Sequence, residues 1–398
     1  MKALTVVLVG LLAGTLYSQE VVGWRLDGDG VFPKSKPVTT WSESKNIKWL
    51  TKTKKWSNAS PIPVKGKFYF CAEPDILICA NIKTGKIVWE KANDYKSLSK
   101  AEAKKVGEMK MPRTHGDNGY SSPTPVSDGK LVYTLFGTGV LVAYDLKGKK
   151  KWDKFIMKSK AGWGHSMGPC LYKDTLIVQI EGQVFAYDTK TGKQKWTKAG
   201  RHSWGSSMVT EIDGKGIMIT ANGDVYAIAD GKKVASGIGS LKYAVPVRHG
   251  DIVYFIENNA VAVQLPKKID GDYKQVWKSK IQGKRHYGSS IITDKLIYAI
   301  SRAGIFNVLE TKTGKIVYEK LLENKGKTYR GNTFYASISL ANKNLYVGNQ
   351  NGQTHVIATG SEFKEIAVNE LSGYRSSPLI IGNAIYIRAK KGLYCISK

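Results

Sequence analysis

Residues 121–152 read SSPTPVSDGKLVYTLFGTGVLVAYDLKGKKKW, and this stretch decides the fold. Small residues (Ser121, Ser122, Pro123) lead into a short strand that stops at Asp128-Gly129. A hydrophobic strand follows from Leu131 to Leu135, a second from Val140 to Asp145, and a glycine turn at Gly148 leads to Trp152. Short strands punctuated by Asp-Gly and Gly turns describe an antiparallel meander. One meander cannot cover both of its faces, so it needs copies of itself on either side.

The copies are present. Ser122, Ser166, Ser206, Ser290, Ser337 and Ser377 open successive units about 40 to 47 residues apart, or twice that where a less regular unit beginning near Ala244 intervenes. A first unit opens at Ser60-Pro61. This is the period of four-stranded propeller blades, so the expected fold is all-β: an eight-bladed β-propeller of four-stranded antiparallel blades. The last unit, from Ser376, ends at Lys398 without a closing strand, whereas Asn46 to Lys52 (NIKWLTK) looks like a closing strand with no unit before it. The ring is therefore expected to close by lending this N-terminal strand to blade eight, which removes an open edge.

Residues 1–18 read as a signal peptide: Lys2, an apolar run from Ala3 to Gly14, and a small residue at Ser18. That run is too short for a comfortable membrane span, and no cysteine follows Leu12-Ala13-Gly14. The expectation is an exported protein, periplasmic or secreted, with no transmembrane span in the mature chain. Residues 19–45 form a glycine-rich arm, and residues 46–398 a single propeller. Residues 92–114 are an insertion in which Leu98 to Lys110 is charged and suited to a helix. Asp27-Gly28-Asp29-Gly30 has the flavour of a calcium loop but lacks the later Glu, so it reads as a turn.

The 398 residues carry 61 Lys+Arg against 32 Asp+Glu, a net charge of +29. Such a balance favours anionic partners, or serves solubility alone. The lysines are dispersed, which gives no stripe for specific nucleic-acid binding. Of the four cysteines, Cys71 and Cys79 flank a turn and could face one another; Cys170 and Cys395 lie in separate units and read as buried thiols. No C-x-x-C points to zinc or redox chemistry.

The unit Leu141-Val142-Ala143-Tyr144-Asp145 … Gly148-Lys149 … Trp152, repeated as Val184-Phe185-Ala186-Tyr187-Asp188 … Gly192-Lys193 … Trp196, resembles the pyrroloquinoline-quinone-type (PQQ-like) propeller repeat. Leu77 to Trp89 and Phe306 to Tyr318 are weaker copies. The resemblance implies that each outer-strand Trp docks on the next blade. It offers two function classes. One is a non-catalytic scaffold, similar to the propeller subunit of the outer-membrane β-barrel assembly machinery, acting on a protein or anionic envelope component, without cofactor and as a monomer. The alternative is a quinoprotein-type oxidoreductase holding pyrroloquinoline quinone and calcium in the funnel. The adjacent cysteine pair of many such enzymes is missing here, and their calcium-ligating carboxylates and catalytic Asp match no position. The scaffold is therefore the preferred expectation.

The segments that precede each leading serine are rich in aromatic and basic residues: Arg113 and His115; Trp163 and His165; Arg201, His202 and Trp204; Arg285, His286 and Tyr287; Arg330; Arg375, together with Trp56, Tyr120, Tyr243, Tyr329, Tyr335 and Tyr374. In a propeller these connections gather on one face around the channel. Three readings stand: packing between blades, a positive aromatic mouth for an anionic or carbohydrate-like group or an acidic peptide, or a metal shared by ring-related histidines. No catalytic residue and no metal ligand is assigned.

Overall fold

The computed structural model describes residues 21–323 and 333–398. Eight antiparallel sheets of four sequential or ring-closing strands stand around a central channel. Their innermost strands, from blade one to blade eight, are Ile62–Val64, Val126–Ser127, Cys170–Tyr172, Met208–Ile212, Val247–His249, Ile291–Ile292, Ser339–Ala341 and Leu379–Ile381. The core lies between blades, where Val, Ile, Tyr and Phe of the two middle strands interdigitate with those of the next sheet.

Blade eight closes as the sequence predicts. Ile47–Lys52 pairs antiparallel with Gly392–Ile396, setting Trp49 opposite Cys395, Leu50 opposite Tyr394 and Thr51 opposite Leu393. Trp49 then packs with Tyr386 of its own blade and Phe68 of blade one, at ring-centroid distances of 5.8 and 6.4 Å. Both chain ends are thus tied into one sheet.

The outer-strand tryptophans staple neighbours together through a glycine. Trp152 of blade two lies on Gly192 of blade three, where a Cβ would come within 2.7 Å of the indole, and its Nε1–H donates to Thr189 O at 2.8 Å. The same pairing joins Trp49 to Gly85, Trp89 to Gly148, Trp196 to Gly231 and Trp277 to Gly314. Each of these glycines has a positive φ, between 66° and 87°, so the turn needs glycine twice over: for its backbone and for the indole above it. Blade four has only the short outer strand Lys233–Ala235, blade six has Tyr318 in place of Trp, and blade seven has Ala367.

A second belt surrounds the channel. Ser377 N–H donates to Ser60 Oγ at 3.0 Å, Ser337 N–H to Ser377 Oγ at 3.2 Å, and Ser289 N–H to Ser337 Oγ at 2.8 Å. Val245 N–H donates to Ser289 Oγ at 2.8 Å, Gly168 N–H to Ser206 Oγ at 3.0 Å, and Ser60 N–H to Thr124 Oγ1 at 3.1 Å. The recurring small hydroxyl residues of the sequence are therefore interblade hydrogen-bond partners that let eight strands converge on one axis.

In the insertion, only Lys100–Val106 is α-helical, after a short 3-10 turn at Tyr95–Ser97. It is the one α-helix among the described residues and shorter than the sequence suggested: Gly107, at φ 54°, ends it. It packs on the outer strand of blade two through Leu98, Val106 and Phe155, with Glu102 accepting from Phe155 N–H at 3.0 Å and Lys154 Nζ at 3.1 Å. Cys71 and Cys79 do not face each other. Cys71 is opposite Leu77 and Cys79 opposite Tyr69, and all four cysteines are free thiols. No helix among the described residues is long and apolar enough to cross a membrane.

The arm does not lie outside the ring. Val22 bridges Ser127 of blade two, and a tight turn, Gly23 to Leu26, carries Trp24 and Arg25 into the channel. Trp24 Nε1–H reaches Ser377 Oγ at 3.2 Å, and Arg25 donates to Ser290 O at 3.3 Å and to Asp29 O at 2.5 Å. Val31–Phe32 then adds as a parallel fifth strand to the inner edge of blade seven. Asp27 to Gly30 is a turn, with Asp29 Oδ1 accepting Val31 N–H at 2.7 Å.

Candidate functional site

Above the arm, the channel opens to a cavity of about 1080 Å³ on the face where outer strands cross to the next inner strand. The eight belt positions are Ser60, Thr124, Gly168, Ser206, Val245, Ser289, Ser337 and Ser377, and all line it. Around each belt position successive side chains face alternately the channel and the blade interior. The residues two before the belt form an upper ring: Asn58, Ser122, Ser166, Trp204, Tyr243, Tyr287, Tyr335 and Arg375. All eight line the cavity. The residues three before it turn away and are buried, as Ser57, Ser121, His165, Ser203, His286, Phe334 and Tyr374; exposed Lys242 is the exception.

This alternation sorts the sequence-predicted residues. Trp163, Trp204, Arg285, Tyr287 and Arg375 line the cavity. His115 stacks on Trp163 at 3.8 Å, and His202 meets the edge of Trp204 at 5.1 Å. His165 and His286 are 3% and 1% exposed and lie outside the cavity wall. Burial lowers the pKa of each to about 4; His165 Nε2 hydrogen-bonds Met167 O at 2.9 Å, while both ring nitrogens of His286 lack partners. Arg201 is held by Asp224 at 2.9 Å, and Arg113 is exposed away from the cavity. Arg330 lies outside the described residues. The four histidines do not converge, and no group of three His, Cys, Asp or Glu among the described residues could hold a metal ion.

The upper ring is lopsided. From blade four to blade eight it is large: Trp204, then Tyr243, which meets the edge of Tyr287 at 4.7 Å. Tyr287 stacks parallel on Tyr335 at 4.7 Å, and Tyr335 lies under the Arg375 guanidinium at 4.3 Å. From blade one to blade three it is small and polar, and already satisfied. Asn58 Nδ2 donates to Asp117 O and Ser122 Oγ, and Ser166 Oγ donates to Trp204 O at 3.0 Å. Asp117, beside Asn58, pairs with Arg375 at 2.7 Å, and this guanidinium helps hold its carboxyl below the usual range against the opposing effect of burial.

Half-buried carboxylates fix the ring loops. Glu257 Oε1 accepts the N–H groups of Lys242, Tyr243 and Ala244 at 3.0, 2.8 and 3.0 Å, which holds Tyr243 at the rim; burial raises its pKa despite these bonds. Glu73 does the same for Tyr120 and Ser121. Arg302, which the sequence reading missed, joins Arg285 at the cavity, its N–H donating to Arg285 O at 2.6 Å. It sits in a hairpin turn within blade six, outside the interblade segments that drew attention in the sequence.

The fold is that of the PQQ-like propellers. A family profile described as outer membrane protein assembly factor BamB matches residues 38–240 and 121–320. The chain belongs to that family. The crystal structure of BamB from Moraxella catarrhalis superposes with a TM-score of 0.61 at 13% identity, covering 88% of this chain and 98% of that one. A europium-containing methanol dehydrogenase superposes with a TM-score of 0.59 at 11% identity, over 92% of this chain and 89% of that one. The quinohemoprotein alcohol dehydrogenase from Comamonas testosteroni gives 0.61 at 10% identity, over 94% and 80%. At these identities the likeness is one of fold. No curated protein matches the sequence.

Proposed function

We propose that this chain is an exported, non-catalytic scaffold of the cell envelope, and that its mouth face holds a partner protein. The observation that carries this is the upper ring: one face of a rigid propeller presents Trp204, Tyr243, Tyr287, Tyr335 and Arg375 side by side around a cavity. Trp, Tyr and Arg are the residue types that dominate protein-binding hot spots. Membership of the BamB family supports the same reading.

The residues present do not fit a calcium-held quinone. Calcium takes about six to eight oxygen ligands. The carboxylates at the cavity are Asp27, Asp29 and Asp117; Asp117 is engaged by Arg375, and the other two belong to the arm that fills the channel floor. The test is the melting temperature and absorption spectrum of the full chain with and without added quinone and calcium. No quinone chromophore and an unchanged melting temperature are expected. A chromophore, or a rise of several degrees, would overturn the scaffold reading.

A further inference from the structure

The mouth is asymmetric in chemistry as well as in size. The polar half, Asn58, Ser122 and Ser166, spends its hydrogen bonds within the protein. On the aromatic half, Arg375 has Asp117 as its carboxylate. Arg285 and Arg302 line the cavity and are exposed, and among the described residues neither is paired with a carboxylate. Arg285 lies among Tyr243, Tyr287 and Tyr335. Two guanidiniums without a carboxylate partner, beside stacked tyrosines, can each donate to a carboxylate, since Arg binds one through two parallel N–H groups.

The channel also shows what kind of chain it admits. Its floor is occupied by a peptide, the protein's own arm, held by backbone and belt contacts: Trp24 to Ser377, Arg25 to Ser290, and Leu340 N–H to Gly30 O at 2.9 Å. That peptide joins the inner edge of blade seven as an added strand and carries two carboxylates, Asp27 and Asp29. Beside it the cavity continues along the inner strands of blades four and five, past Met208, Thr210, Val247 and Arg248. Those strands form the inner edges of their sheets and can accept a further extended segment.

We infer that the mouth of this propeller binds an extended acidic segment of a partner protein, whose carboxylates pair with Arg285 and Arg302 while its backbone runs into the channel beside the arm. This deepens, and rests on, the scaffold reading above. The arm is the internal precedent for the backbone, and the two arginines that lack a carboxylate partner set the charge. The aromatic rings supply rigid contact area at small cost in side-chain entropy.

The test measures binding of a short fluorescent Glu-rich peptide to the full chain, beside its Glu-to-Gln counterpart and an oligogalacturonate of equal charge. Because the whole chain is basic, the Arg285→Gln/Arg302→Gln variant is compared with Lys278→Gln/Lys280→Gln, which removes equal charge from the outer strand of blade five. The acidic peptide should bind best. The mouth variant should weaken it by about tenfold or more, and the outer-strand variant by less than about twofold. Unchanged melting of the mouth variant, expected for two exposed side chains, excludes misfolding as the cause. Equal losses in the two variants, equal binding of the Gln peptide, tighter binding of the saccharide, or no binding would each overturn the inference. None of those results touches the scaffold reading, which fails on the quinone and calcium experiment instead.

Discussion

Gly192→Ala and Gly214→Ala make a paired test of the tryptophan staples. The two glycines have nearly the same backbone, φ 66° and 68°. A methyl group at Gly214 meets nothing within 4 Å, whereas at Gly192 it would lie 2.7 Å from Cδ2 of Trp152. The left-handed backbone alone costs an L-residue about 1–2 kcal/mol, which both variants lose. Gly192→Ala adds displacement of a buried indole that is 8% exposed, bonded to Thr189 O at 2.8 Å and packed on Tyr133 at 5.9 Å. Overpacking of that kind costs a further 1–3 kcal/mol, roughly. Gly192→Ala should therefore destabilise by about 2–5 kcal/mol in all, against about 1–2 for Gly214→Ala. Urea midpoints of the two variants and the parent, measured at one protein concentration, give the comparison. Equal losses would mean that the indole moves aside freely and that the staple holds nothing.

Three further outcomes follow from the same physics. Removing residues 47–52 bares the edge of Gly392–Ile396 and should shift the chain to larger soluble oligomers or aggregate on size-exclusion chromatography; an unchanged elution profile would contradict closure by this strand. Arg388, fully buried, donates to Lys55 O at 2.7 Å, Ala389 O at 2.6 Å and Cys71 O at 3.3 Å, so Arg388→Met leaves three carbonyls short of a donor; a loss of about 2–5 kcal/mol in a denaturation curve is expected. His165 and His286, with folded pKa values of about 4 against 6.5 for the free residue, bind fewer protons folded than unfolded. Their contribution is intact above the unfolded value and declines as pH falls from 6.5 toward 4, by up to roughly 3 kcal/mol each. His286→Phe should flatten that acid limb in a melting-temperature profile, and an unaltered slope would show that His286 does not titrate with unfolding.

What the sequence by itself determined is the repeating part. Strand alternation, turn glycines and the spacing of small residues are local signals, and they gave the eight blades, the outer-strand tryptophans and the spare strand at Ile47–Lys52 that completes the ring. Even the mouth segments were legible as aromatic and basic. Which of their residues face the channel was not, because that depends on a single step of register. His286 and Tyr287 are neighbours in sequence, yet one is buried between blades and the other lines the cavity. Contacts distant in sequence fix that step, among them the belt hydrogen bonds, made between residues 38 to 317 positions apart. The arm is the extreme case. Trp24 and Arg25 find their partners at Ser377 and Ser290, and Val31–Phe32 pairs with Leu340 and Ala341, so nothing nearby in the chain marks them as channel residues. Local periodicity sets which strands form. Closure of the ring decides which side chains meet at its centre.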